Sequence, residues 1–364
     1  MKKRIFISAL SFRAPTLHNL EELQSLMSKG RLEVEPEAHS LTETLRALIY
    51  NLNLKTESPL FPNRKDVKVM RDDVIAATKC GQEILQLAGI DAEARRELTL
   101  YMSNGVCLDQ LLDNINDISR AYASKEYDDQ DLGQKHKRVE KATPPLFVLN
   151  ALTNGAGSFV AQYTGVKGDN VVYGNTSHAT YDCIEEGIHA IESGKKEMVL
   201  IGAANGAGLF SALTFKNLAD LGNKDWKSSN AASFILLENH ASIIQRGVKP
   251  FAEVTQIMKS KSIPSLFQVN PNPYSEITPK SSIACFSGGL GEGDYETEKK
   301  TILKKWKEGF SLYPYFGSLG VAAPLMNLYA SILRLNQGEE SIDCLNRDPY
   351  GRESLIQLGQ VKNL

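Results

Sequence analysis

The sequence offers little from which to build a disulfide or zinc framework. Its five cysteines, Cys80, Cys107, Cys183, Cys285 and Cys344, are odd in number, far apart and never spaced as Cys-x-x-Cys. That excludes a stapled secreted scaffold and fits a reducing compartment, with each thiol reading as a small buried apolar residue. An excess of one charge is missing too. The 41 Lys and Arg against 43 Asp and Glu leave a formal −2, so neither nucleic acid nor an anionic membrane is an expected partner. No run approaches the roughly 18 apolar residues of a membrane span. The basic start, MKKRIFISALSFRAP, has an apolar run cut by Arg13 and no small-residue cleavage site after it. It reads as a first strand, not a signal peptide, and a cytoplasmic protein is expected. No tandem repeat or low-complexity tract occurs, and nothing in the sequence asks for a metal or a cofactor.

Complete phosphate cradles are also absent. Gly155-Ala-Gly157-Ser-Phe-Val160 lies in an apolar helical stretch and lacks the third small residue of GxGxxG. Gly206-Ala-Gly208-Leu-Phe-Ser211 follows a strand without the third glycine or the distant acidic residue, and Gly288-Gly-Leu-Gly-Glu-Gly293 has no Lys-Ser/Thr pair after it. Each reads as a tight turn or a close helix packing.

What is present is an alternating pattern. With 42% hydrophobic and 23% charged residues, 364 residues suffice for one large α/β domain or two fused halves. Candidate strands are Arg4–Ser8, Leu98–Met102, Asn170–Tyr173, Met198–Gly202, Ala232–Glu238, Phe251–Thr255, Ser281–Phe286 and Ser354–Leu358. Candidate helices between them include Asp73–Ala88, Val106–Ala121, Leu146–Tyr163, His178–Glu192 and Gly320–Leu335. The alternation predicts a mainly parallel sheet with crossover helices. Tyr122–Thr143 breaks it, with acidic and then basic blocks closed by Pro144-Pro145. It reads as a solvated surface loop, or as a basic contact patch for an acidic carrier protein.

The clearest unit is Asn170–Ala204, a strand, a helix with Ile184, Gly187, Ile188 and Ile191 at i, i+3, i+4, i+7, and a second strand, making a βαβ. At its sharp turn lies Gly174-Asn-Thr-Ser177. Ser177 is there a nucleophile, a replacement for one, or a helix cap. Adjacent helical side chains point about 100° apart, so His178 is poorly placed to serve Ser177 as a base and reads as a polar first-turn residue. Its surroundings are not the GxSxG elbow of hydrolases.

From Pro145 to Asn205 the chain resembles the β-ketoacyl synthase family of the thiolase superfamily. The matching pieces are Pro145-Leu-Phe-Val148, Asn154, Gly165-Val-Lys-Gly168, the turn at 171–177, Glu185–Gly194 and Met198-Val-Leu-Ile-Gly-Ala-Ala-Asn205. Thinner matches are Ser-Asn-Gly-Val at 103–106, Asp294, and Leu319-Gly-Val-Ala-Ala323. The resemblance implies a thiolase-like α/β fold of two related halves in an α-β-α-β-α layering, with the second half shortened. The halves are expected at 1–240, with a charged insertion near 122–143, and at 241–364. It also implies a helix N-terminus that lowers a nucleophilic cysteine's pKa, with two histidines assisting decarboxylation. Carried over position by position, that cysteine falls on Ser177, the first histidine on Phe286, the second on Gly317 and a lysine near Leu312. In place of a glycine-rich loop stands Arg352-Glu-Ser-Leu-Ile-Gln-Leu-Gly359.

The combined losses imply a non-catalytic subunit similar to a chain-length factor, without a catalysis, metal or cofactor of its own. Such a subunit forms a heterodimer with an active ketosynthase and shapes its product tunnel; the shortened half resembles the aryl-polyene kind. Tunnel or interface candidates are Val106, Leu108, Leu111, Leu112 and Ile115, whose spacing equally suits core packing, and Asn154 on the helix before the edge strand. An acyl carrier protein is an expected further partner, by way of Lys135, Lys137 and Arg138. Two other readings stay open: a serine acyltransferase or hydrolase using Ser177, and a homodimeric acyl-chain binder.

Overall fold

The computed structural model describes residues 3–30, 32, 34–42, 45–52, 54, 61, 64–67, 69–105, 109–123, 132–143, 152, 154–208, 211, 226–260, 273–289, 291–362 and 364. In chain order the strands are β1 Ile5–Arg13, β2 Glu37–Thr42, β3 Leu45–Tyr50, β4 Thr99–Gly105, β5 Asn170–Asn175, β6 Met198–Asn205, β7 Trp226–Ser229, β8 Ala231–Asn239, β9 Ala252–Lys259, β10 Ile283–Phe286, β11 Glu308–Phe310, β12 Ser341–Arg347 and β13 Glu353–Gly359. The principal helices are α1 Leu20–Lys29, α2 Asp72–Leu87, α3 Asp109–Ala123, α4 Leu132–Ala142, α5 Gly155–Thr164, α6 Ser177–Glu192, α7 His240–Arg246, α8 Glu292–Lys305 and α9 Ala323–Asn336.

Ten strands form one hydrogen-bonded series, β11-β10-β12-β13-β9-β1-β8-β6-β4-β5. Outward from β1 the pairings to β8, β6, β4 and β5 run antiparallel, antiparallel, parallel, parallel. Outward from β9 the pairings to β13, β12, β10 and β11 repeat that succession. An antiparallel contact between β1 and β9 joins the two halves. The sheet is therefore mixed, not mainly parallel as the alternation predicts. The reason is visible at β12 and β13, where the link from 348 to 352 is too short for the crossover that parallel neighbours need. The second half is also the shorter. It draws five strands from Ala252–Gly359, under half the chain that the first half uses.

Alternation along the strands splits their side chains between layers. On one face of the first half, Val74, Ile84 and Val160 of α2 and α5 pack on Leu100, Leu200 and Leu236. The opposite face, through Val199, Ile201 and Leu237, meets Ile184, Ile188 and Ile191 of α6 and Leu328 and Ile332 of α9. Those two helices also bury Ile283, Cys285, Ile342 and Ile356 of the second half. On its far face, Ala284, Phe286, Leu345 and Leu355 pack with Ile302 of α8 and with Trp306. The result is the five-layered α-β-α-β-α fold that the resemblance implies. Each buried isoleucine of α6 contributes about 1.5–3 kcal/mol, which holds the helix and hence its first residue in place. The Tyr329 hydroxyl of α9 adds a bond to the Phe234 carbonyl of β8, at 2.7 Å.

Several expected elements change. The charged stretch expected as a loop contains α4, because Gln134–Ala142 has no Pro or Gly and is rich in good helix formers. The helix expected from Leu146 begins only at Gly155 among the described residues. The βαβ is a crossover that skips a strand, since β4 lies between β5 and β6. A small sheet, β2-β3-β7, was not expected at all. The first glycine pair proves to be a packing contact, since a Cβ on Gly157 would lie 2.4 Å from a methyl of Val172. Among the described residues, no helix is long and apolar enough to cross a membrane.

Candidate functional site

The βαβ turn delivers Ser177 as the first residue of α6, and the N-cap is Thr176 in an extended conformation (φ −127°, ψ 168°). Ser177 is thus inside the helix and not its cap, a correction to the cap reading. Thr176 does not cap with its side chain either. Ser177 is 6% exposed. It lines a cavity of about 40 Å³ together with Asn205, Ser228, Ser287, Ser318 and Arg347. That is space for a few water molecules. No histidine, lysine, aspartate or glutamate is among the described lining residues, so none supplies a base to the hydroxyl there.

The two positions where the resemblance puts histidines are spent on structure. Phe286, at the end of β10, is 1% exposed and turns into the outer core, stacked on Tyr295 at 5.8 Å between ring centres. Its neighbour Ser287 is the residue that reaches the cavity. Gly317 has φ +65° and ψ −149°, a region essentially reserved for glycine. A Cβ there would lie 2.4 Å from the Lys227 carbonyl oxygen. That strand is close because the Ser318 amide donates to the Lys227 carbonyl at 2.8 Å, and the Ser229 amide donates to the Ser318 carbonyl at 3.0 Å. The Ser228 hydroxyl donates to that same carbonyl at 2.7 Å. β7 thus occupies the approach that a side chain at 317 would need. Leu312 is buried in the central core.

Arg347 and Pro349 form a further part of the wall, on a segment, 347–352, of which the sequence reading singled out only Arg352. Thr176 donates its hydroxyl to Asp348 Oδ2 at 3.0 Å, and Arg352 donates to the Thr176 oxygen at 2.9 Å. Arg352 also binds Asp348 Oδ2 at 2.6 Å, while the amides of Tyr350 and Arg352 donate to Asp348 Oδ1 at 3.0 and 2.9 Å. Arg347 Nε lies 3.7 Å from Glu353. Only the Asp-Pro-Tyr-Gly turn composition signals this arrangement in the sequence.

His178 lies in the first turn of α6, as expected, but it is buried. It is 7% exposed, stacks on Tyr181 at 5.6 Å and directs Nε2 to Asp182, 3.7 Å away. Burial lowers its pKa, against the opposing pull of Asp182. Lys259 bonds Glu185 and reaches Asp182 at 3.0 Å. The four described cysteines, Cys80, Cys183, Cys285 and Cys344, are buried. Burial pushes the thiols of Cys183 and Cys285 well up and that of Cys344 to about 12, which unsuits them as nucleophiles. Cys107 lies outside the described residues. Glu298, also unforeseen, is fully buried behind Ser287 and accepts from the Tyr274 hydroxyl and the Gly288 amide, each at 3.0 Å. Desolvation raises its pKa to about 7, partly offset by Arg347.

The tunnel and interface candidates are less grouped. Val106 and Leu108 lie outside the described residues, and Leu111 and Leu112 fall on α3. Ile115 is 43% exposed, which sets it apart from core packing. Asn154 is exposed at the N-cap of α5 and makes no side-chain cap. On α4, Lys137 is exposed, Lys135 lies over the Tyr122 ring at 5.3 Å, and Arg138 turns inward to the Ala121 carbonyl at 3.3 Å.

A layered fold of two related halves, with a strand–turn–helix at the junction, defines the thiolase-like class. Residues 2–231 match the model of the β-ketoacyl synthase N-terminal domain. The chain belongs to the β-ketoacyl synthase family. Among solved structures it is similar to a β-ketoacyl synthase from Burkholderia phymatum STM815, at TM-score 0.74 and 14% identity, covering 99% of this chain and 100% of that one. It is likewise similar to the ishigamide ketosynthase/chain length factor, at 0.74 and 13%, covering 100% of both chains. A third similar structure is AntDE:AntF, a type II polyketide acyl-carrier protein in complex with its ketosynthase. The match there has a TM-score of 0.70 and 14% identity, over 99% of this chain and 100% of that one. No curated protein matches the sequence.

Proposed function

We propose that this protein is a non-catalytic, chain-length-factor-like subunit that pairs with an active β-ketoacyl synthase and shapes the tunnel for its polyketide or polyene product. One observation carries the reading: at the two histidine positions, Phe286 faces the outer core and Gly317 is pressed against β7. The cysteine position holds a serine, and no base lines its cavity among the described residues. Restoring the chemistry would take more than one substitution. The serine-acyltransferase alternative finds no general base among the described lining residues.

Pairing is supported by β5, which ends the sheet with one edge unpartnered among the described residues and leaves Val171 38% exposed. Leu152, near the start of α5, is 42% exposed. In this reading the halves divide near residue 240, and Ile115 and Asn154 belong to the partner-facing side. The carrier protein contact is narrower than the sequence suggests: Lys137 and Lys141 are exposed on α4, whereas Arg138 is committed to α3. An aryl-polyene product is the finer form of the same proposal. The test is intact-mass analysis of this chain co-expressed with its ketosynthase and supplied with acyl and malonyl carrier protein. The acyl group is expected on the partner and not on Ser177.

A further inference from the structure

We propose that residues 347–352 are a latch that seals the former catalytic centre, so that an acyl-bearing arm is kept from Ser177 whatever atom stands there. The inference deepens the non-catalytic reading and rests on it. Three observations combine. A helix N-cap threonine ordinarily turns its hydroxyl to the first-turn amides, yet Thr176 gives its hydroxyl to Asp348 and receives Arg352. The tie joins residues 172 and 176 positions apart in the chain, so it fastens the first-half helix to the second-half loop. Asp348 has no exposed side-chain surface and is held at both oxygens by Arg352, Tyr350 and Thr176, which fixes the loop's shape.

The loop's neighbours Arg347 and Pro349 are themselves walls of the Ser177 cavity, so fixing the loop fixes the opening. With Ser228 and Ser318 pinned to each other on another side, about 40 Å³ remains. Among the described walls, that is space for a few water molecules. The cavity is no invitation to a free anion either, since the carboxylate of Asp348 already stands against the helix start.

The test uses a thiol as a probe of access and needs no catalysis. Ser177→Cys is introduced into the full chain, and alkylation by iodoacetamide is read on the peptide carrying residue 177. Fragment ions that place the label at residue 177 itself separate it from Cys183 six residues on, and the peptide separates it from Cys107, Cys80, Cys285 and Cys344. The same measurement is made with Thr176→Val added, which frees the helix while leaving Asp348 and Arg352 paired, and with Asp348→Ala and Arg352→Ala added together. With the latch intact, alkylation should be far slower than for an exposed thiol. Each unlatched variant, folded by circular dichroism, should react at least about tenfold faster, as expected when a charge-assisted tie no longer opposes local opening. Alkylation at the exposed-thiol rate with the latch intact overturns the proposal. So does an unchanged rate in the folded unlatched variants. Either result leaves the non-catalytic reading standing, because that reading is tested separately, by acyl loading of the native Ser177 and by association with a ketosynthase.

Discussion

Gly317 shows how far a single residue can commit a site. Its backbone lies in a glycine-only region, and any side chain meets the Lys227 carbonyl. Gly317→Ala should therefore destabilise the chain by about 2 kcal/mol or more in chemical denaturation, far above a neutral surface change. Glu298 makes a different prediction. Its folded pKa, near 7, lies above the ordinary carboxyl value of 4.5, so the unfolded chain releases this proton first as pH rises. Stability should fall from about pH 4.5 through about 7, and Glu298→Gln should flatten that limb of the curve measured by thermal melting. The losses at Ser177, Phe286 and Gly317 are legible in the sequence, because each is an identity at an alignable position. Their meaning is not. Which way Phe286 points depends on strand phase, and the Lys227 contact joins residues about ninety apart. The latch escaped for a similar reason, since neither Asp348 nor Arg352 is unusual until Thr176 is seen beside them.

At the scale of elements, periodicity located most of the large pieces. The α6 stripe of Ile184, Gly187, Ile188 and Ile191 is buried as its spacing requires. Errors concentrate where composition and partner disagree. β12 reads as an unremarkable Ser341–Arg347 run and becomes a strand because β10 and β13 flank it. α4 looked like a loop because its residues are charged, and none of its described side chains is buried. Sheet direction is a tertiary property, invisible to local pattern. β5 is the element on which pairing depends in this account, with an open edge and an exposed Val171. Val171→Asp is expected to weaken association with the ketosynthase by about tenfold or more in co-purification or calorimetry, while the isolated chain melts within a few degrees of the parent.

For the whole molecule, the proposed reading is that the family fold is kept without its chemistry. The two halves still repeat one strand succession, and α6 still starts at the junction between them. In that reading the large core serves a surface shown to a partner. The measurement that tests this most directly is acyl loading within the assembled pair. This chain and its ketosynthase are co-purified, exposed to acyl and malonyl carrier protein, and each subunit is weighed intact. The account predicts a stable complex with the acyl mass on the ketosynthase alone and none on this chain. Stoichiometric acyl mass on Ser177, or a chain that never associates with a ketosynthase, would contradict it.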